Sequence, residues 1–445
     1  MKRVCAFFLL IVTCFLTACR DQTPAEEVYS AGFGSAVLSV PENSGEPLYI
    51  AGYRNGKEIT GVLDEQQARA LWLDDGETSV LLISVDCVGL GSATVRQIRQ
   101  RLEDFCRRTG CDSVNVIATH THAGIDTLGL WGPVAMDGKN ADFMETVIAG
   151  AVEAAERAYA DRSSGTLEYS AVATEGLQLD SRDPQIYDNM LYQIRFLPDD
   201  PAQNGIRLFS FGAHAEALRG ENTLVSRDYP GVVCDIIKEE TGDDALYLPG
   251  AIGGLIMTPE LTDGTFDAQE NLRRTGAKIA GYALSAPQGQ QLSPRIGISR
   301  VEFEVELNNT LFLYYKFLGI LENDGRRTLD GRYMLETELT VLDLGEVTLA
   351  LLPGEIFPEL VSGTGSDDDP QPLAQIAAEH GVQHLIVVGL ANDELGYIVP
   401  PSDYVVDEDL PYFWEADGDH YEETNSVGKN CAFALADAFE QALTN

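Results

Sequence analysis

"VNVIATHTHAGID", residues 114–126, decides how the chain is read. Its first six residues are mainly apolar or β-branched and have the length of a buried strand. The run then meets His120 and His122, two of the six histidines in the chain, and passes into small residues. Residues i and i+2 of a strand share a face, so an extended "ATHTH" points both imidazoles the same way. Three readings are open for the pair: metal ligands, an acid/base pair, or polar residues that merely end a strand. Strand ends are where the sites of open α/β sheets collect.

The surrounding sequence repeats this punctuation. "SVLLISVD" (79–86) reads as a buried strand followed by a helix near 92–109, and a second helix follows near 141–163. "TLEYSAVA" (166–173), "YQIRFL" (192–197), "IRLFSFGAH" (206–214) and "ALYLPG" (245–250) continue the strands, with helices near 230–240 and over "QENLRRTGAKIAGYALSA". "RIGISRVEFEVEL", the hairpin-like "LTVLDLGEVTLALLPGE" and "HLIVVGLA" supply further strands before a last helix near 429–443. This mixture predicts an α/β fold with mixed sheets. "SAPQGQQLSP" (285–294) is the one Pro/Gln/Gly stretch, so residues 30–445 are expected to form one catalytic domain with a possible lobe seam there.

The 445 residues are 44 % hydrophobic and 22 % charged, a globular balance. Seventy acidic residues against 30 basic ones leave a net charge of −40, which repels phosphate backbones and makes nucleic acid an unsuitable partner. Residues 1–19 read as a targeting segment: Lys2 and Arg3, the apolar "VCAFFLLIVTCF", then "LTAC". That ending resembles a bacterial lipobox. It predicts cleavage before Cys19, lipidation of Cys19, a short tether over residues 20–29, and a body exported to the bacterial cell envelope. The membrane contact would be the lipid anchor alone. Cys87, Cys106, Cys111, Cys234 and Cys431 form no CxxC pair, which argues against a cysteine-rich zinc site. They read as structural thiols, and Cys106 and Cys111 lie close enough to bridge around a helix end.

Other strand ends carry metal-capable groups. "RLFSFGAH" ends on His214. "VTLALLPG" leads to Glu355, which reads as the start of a helix, "EIFPEL". "LIVVGLANDELGYIVP" (385–400) runs into a loop with Asn392, Asp393, Glu394 and Tyr397. Each is ordinary alone: a helix N-terminal carboxylate or a packed loop tyrosine. Together they fit a zinc site, which takes three or four N/O ligands from different elements.

These same blocks resemble a known family. "ATHTHAG" is similar to the "THTHSG" element of the neutral/alkaline non-lysosomal ceramidases, "FSFGAHAEAL" to their "WFAVH" strand, and "LLPGEIF" to "VPGEF". "GLANDELGY" resembles "GLSNxYTHY", and "HYEETNSVG" resembles "RYEAASTxYG", in the same order along residues 30–430. The resemblance implies the catalytic-domain fold of that family and an amide-hydrolysing zinc enzyme. It implies His120, His214, Glu355 and Tyr397 as metal ligands, with His122 facing the substrate. It also implies that Tyr421 stabilises the oxyanion and that Arg182, in "QLDSRDP", contacts the substrate. The chain departs from the pattern twice. Where the family has "GDVSPN" this chain has "LPGAIGGLIMTPEL", leaving Thr258 as the nearest hydroxyl. It also stops soon after "HYEETNSVG", where ceramidases continue into a C-terminal β-sandwich domain.

Zinc with an open position lowers the pKa of a water to roughly 7, enough to attack an acyl carbonyl at neutral pH. His122 is placed to polarise the carbonyl or protonate the leaving amine, Tyr397 or Tyr421 to stabilise the oxyanion. Asp86, ending "LLISVD", is a candidate to orient a ligand histidine or, equally, to cap a strand end. The function expected is hydrolysis of an amide or related acyl bond, with a small-molecule or lipid-like N-acyl substrate. Two alternatives stay open: a catalytically inactive cell-surface binding protein on the same fold, and a hydrolase of a non-sphingolipid substrate.

Overall fold

A computed structural model of the chain describes residues 28–41, 45–180, 182–257 and 267–445. The targeting segment, residues 20–27 of the tether and Thr258 lie outside these residues.

Two mixed sheets carry the fold. In the larger, the order across the sheet is Asp244–Pro249, Ile206–Phe211, Met190–Pro198, Ser163–Ala173, Tyr29–Val37, Gln67–Asp74, Ser79–Val85 and Ser113–Ala118. Its outermost pairs are parallel and the rest antiparallel. The smaller sheet runs Ile296–Glu306, Tyr333–Leu344, Val347–Leu351 and His384–Val388, with the last pair parallel. The strands read from the sequence are all present. The helix expected near 92–109 is broken at Leu102 into Ser92–Arg101 and Glu103–Thr109.

Each sheet buries one face under helices. Ala141–Asp161 starts at Asn140, whose side chain accepts from Phe143 N at 3.0 Å. Its buried residues Phe143, Val147, Ala151, Ala154 and Ala158 recur at helical spacing and lie on Tyr29–Val37 and Gln67–Asp74. The approach is close: a Cβ at Gly32 would stand 2.2 Å from Ala158 O, so the glycine is required there. The helix Cys431–Thr444 covers the smaller sheet in the same way through Leu435 and Phe439.

The inner faces share one core. Leu82, Ile117, Leu208 and Leu248 from the larger sheet meet Leu342, Leu349 and Ile386 from the smaller. The stretch 285–294 carries the chain between the sheets. Within it Gln290–Gln291 pairs with Ser163–Ala173, and Leu292 is buried in the shared core. The five described cysteines are free thiols, Cys106 and Cys111 within hydrogen-bond reach of each other. No helix among the described residues is long and apolar enough to cross a membrane.

The arrangement brings strand ends together. The two ends of the larger sheet approach one another, Ser84 Oγ donating to Tyr247 O at 2.6 Å. Beyond the strands the backbone is stitched across elements: Gly389 N donates to Pro249 O at 3.0 Å, Ala118 N to Leu390 O at 3.1 Å, and His122 N to Ala215 O at 2.9 Å.

Candidate metal centre

His120 and His122 do converge, but not by strand alternation. The strand ends at Ala118, and His120 adopts a left-handed backbone, φ 62°, uncommon for a residue with a side chain. A bridge between Thr121 and Ala215 then ties this turn to the one bearing His214. The outcome is a cluster in which one nitrogen from each of His120, His122 and His214 lies within 4.8 Å of the others.

Glu355 and Tyr397 reach the cluster together. They follow the adjacent parallel strands Val347–Leu351 and His384–Val388, then pair with each other in a short parallel ladder, Glu355 opposite Tyr397. Glu355 is therefore not a helix N-terminal carboxylate. The helix begins later, at Pro358–Ser362, and the strand-like pairing holds the carboxylate inward. Glu355 Oε2 is 3.2 Å from His120 Nε2 and 3.0 Å from His214 Nε2. Tyr397 Oη is 3.2 Å from His214 Nε2, and His122 Nε2 is 3.0 Å from His120 Nε2.

This donor set could hold a metal ion. His120 Nδ1 donates to Val88 O at 2.6 Å and His214 Nδ1 to Leu255 O at 2.9 Å, which leaves each Nε2 lone pair facing the cluster. Lone pairs aimed at one another beside a carboxylate repel unless a proton or a cation lies between them. Four atoms bound about 2.0–2.1 Å from one ion in a tetrahedron stand about 3.3 Å apart, close to the spacings seen. The carbonyl partners also answer the question of Asp86. It accepts from Gln67 N at 2.9 Å and pairs with Arg69 at 3.0 Å, a strand-end role, and makes no hydrogen bond to the clustered histidines.

The protonation preferences follow from burial and neighbours. Burial lowers His122 well below the ordinary histidine value, with His120 and His214 adding to it. Burial also lowers His214, but the Glu355 hydrogen bond and charge outweigh it and carry the imidazole up to about 9. Burial would raise Glu355; the two histidines win and hold it well below the usual carboxylate range. Burial, then the Glu355 charge, push Tyr397 far up.

The cluster forms the floor of a cavity of about 460 Å³ whose wall includes Val88, Leu128, Leu130, Trp131, Phe312 and Leu321. The loop bearing Leu128 and Trp131 is shaped by Asp126, which accepts from the backbone N–H of Leu128, Gly129 and Trp131 at 2.8–2.9 Å. Tyr421 lines the same cavity, half exposed, its ring 6.4 Å from that of Tyr397. Arg182 is not brought to the cavity. Its guanidinium is buried and pairs with Asp403, Glu422 and Glu423 at 3.1, 2.7 and 2.6 Å. Among the wall residues with no role read from the sequence are Tyr53, whose ring meets His122 edge-on at 5.1 Å, and Arg54 and Glu216. Glu216, two residues after His214, was open to the i, i+2 argument; Tyr53 and Arg54 left no comparable signal.

No protein-family model matches the chain, and no curated protein matches it. Among the solved structures that share its fold are two ceramidases. The neutral ceramidase from Pseudomonas aeruginosa superposes with a TM-score of 0.72 at 17 % identity, over 94 % of this chain and 74 % of that one. A ceramidase complexed with C2 superposes with a TM-score of 0.70 at 16 % identity, over 94 % and 75 %. The chain has a ceramidase-like α/β fold built on mixed sheets, with a histidine cluster in it that has the make-up of a metal site.

Proposed function

We propose that the chain is a zinc-dependent hydrolase of a linear amide or related acyl bond, a divergent relative of the neutral ceramidases that acts on a lipid-like N-acyl substrate. The observation that carries the reading is the contact of Glu355 with both His120 and His214, and of Tyr397 with His214, all within 3.2 Å, in a cavity that these four residues line together with an apolar patch. Those four residues would hold the ion. When bound, zinc supplies a Lewis acid and a water acidic enough to serve as a nucleophile near neutral pH.

The remaining steps belong to side chains. His122, kept neutral by burial, is a free base beside the cluster, able to take a proton and pass it to the leaving amine. Tyr421 lies at the cavity edge, where its phenol can donate to the carbonyl oxygen as charge builds. The Leu128–Trp131 loop and Phe312 hold an acyl chain and exclude water. Arg182 is read as a positioning residue: its pairs with Glu422 and Glu423 fix the turn that presents Tyr421. Thr258 remains a candidate hydroxyl. The sequence features of residues 1–19 support export and anchorage at Cys19, and a mature N-terminus found unprocessed by mass spectrometry would remove that part.

Fatty-acid release from matched N-acyl amides and esters tests the function. The zinc-loaded full chain is expected to hydrolyse an amide member, to lose turnover with a chelator and to regain it with zinc. Turnover that survives full metal removal would contradict the mechanism. Zinc binding without turnover on any substrate would favour the inactive binding protein, a reading supported by the missing Asp-Val-Ser-Pro motif.

A further inference from the structure

Charge is unevenly spread on the cavity wall. Among the described residues that line it, Arg54 is the one permanent cation, against Glu216, Glu355, Glu394 and Glu422. Three of these carboxylates are already matched. Glu216 pairs with Arg219 at 3.0 Å, Glu422 with Arg182 at 2.7 Å, and Glu355 with the histidine cluster. Arg54 makes no hydrogen bond or ion pair with any described residue.

The backbone that bears it is held on both sides. Tyr53 Oη donates to Glu216 Oε2 at 2.7 Å, Asn55 Nδ2 donates to Leu130 O at 2.5 Å, and Gly56 N donates to Trp131 O at 2.9 Å. Arg54 thus stands between an anchored tyrosine that touches His122 and the apolar loop of the wall. The neighbouring cation, Lys57, is turned away and donates to Gly220 O. In a chain of net charge −40 the general field repels anions, so an unpaired guanidinium on a fixed loop is the local feature that would admit one.

We propose that Arg54 pairs with an anionic group on the amine portion of the substrate, a carboxylate or a sulfonate, and so selects negatively charged N-acyl compounds over neutral ones. The inference rests on the hydrolase reading for its substrate type. The guanidinium fork matches either group by two parallel hydrogen bonds.

The test uses the zinc-loaded full chain and three ligands with one dodecanoyl chain: N-dodecanoylglycine, N-dodecanoyltaurine and the neutral N-dodecanoylglycinamide. Calorimetry reads Kd without needing turnover, and product release is followed in parallel. Both anions are expected to bind at least about fivefold more tightly than the glycinamide, with the gap closing at high salt. Arg54→Gln should abolish the gap and Arg54→Lys should keep part of it. A gap confined to one anion assigns the group as that one. No gap in the wild type, the same gap in Arg54→Gln, or failure of both anions to bind would overturn the proposal. An Arg54-dependent gap with no hydrolysis would sustain it and sink the hydrolase reading; hydrolysis with an Arg54-independent gap would do the reverse.

Discussion

Glu355 and Tyr397 face each other as partners in a two-residue parallel ladder, and each is preceded by a glycine that the ladder requires. Gly396 has φ 78°, and a Cβ there would stand 1.9 Å from Asn425 O. Gly396→Ala must therefore move the loop that carries Tyr397. We expect it to cost about 1–3 kcal/mol in stability and to weaken zinc binding, read by thermal unfolding and by competitive titration. An unchanged midpoint with unchanged zinc affinity would show that the ladder does not position the site.

Arg182 is expected to matter through the fold before it matters through substrate. Removing its guanidinium leaves Glu422 and Glu423 buried without their cation. Arg182→Ala should cost about 3–5 kcal/mol. Denaturant titration measures this. A fully stable variant with only a raised KM would restore the direct substrate contact.

Glu359 gives a pH test away from the cluster. Burial pushes its carboxyl from 4.5 up to about 8, and its Oε2 has no partner among the described residues. The folded chain then holds a proton that the unfolded chain releases, so this group withdraws stability as pH rises from 4.5 through 8 and costs nothing below that window. Glu359→Gln should leave stability at pH 4 unchanged and raise it by a few kcal/mol at pH 8, each pKa unit being about 1.4 kcal/mol. Equal effects at both pH values would exclude the linkage.

Metal affinity should depend on pH in the opposite sense. Protons compete with the ion for the His214 lone pair, whose pKa is raised to about 9. Zinc affinity is expected to rise with pH between 6 and 8, about tenfold per unit for each proton displaced. A flat profile would mean that the ion does not use this imidazole.

The strands, and the helices Ala141–Asp161 and Ala268–Ser285, were legible because burial imposes periods of 2 and 3.6 on the sequence. The strand ends were legible too, since apolar runs give way there to His214, Glu355 and the Asn392–Tyr397 loop. What lay outside local pattern was how those ends meet. The left-handed turn at His120 has no composition signal, and the bridge from Thr121 to Ala215 joins segments far apart in the chain. The partners of Arg182 were hidden for the same reason: its carboxylates sit near the other end of the chain, and only the fold brings them onto the guanidinium.

His120, His214, Glu355 and Tyr397 are proposed to form one zinc site. Metal stoichiometry of the purified full chain, measured by mass spectrometry after zinc loading and exhaustive dialysis, tests it most directly. About one zinc per wild-type chain is expected, with near-complete loss from folded His214→Ala and His120→Ala. A wild-type chain that retains no transition metal, or a folded His214→Ala variant that keeps a full equivalent, would contradict it.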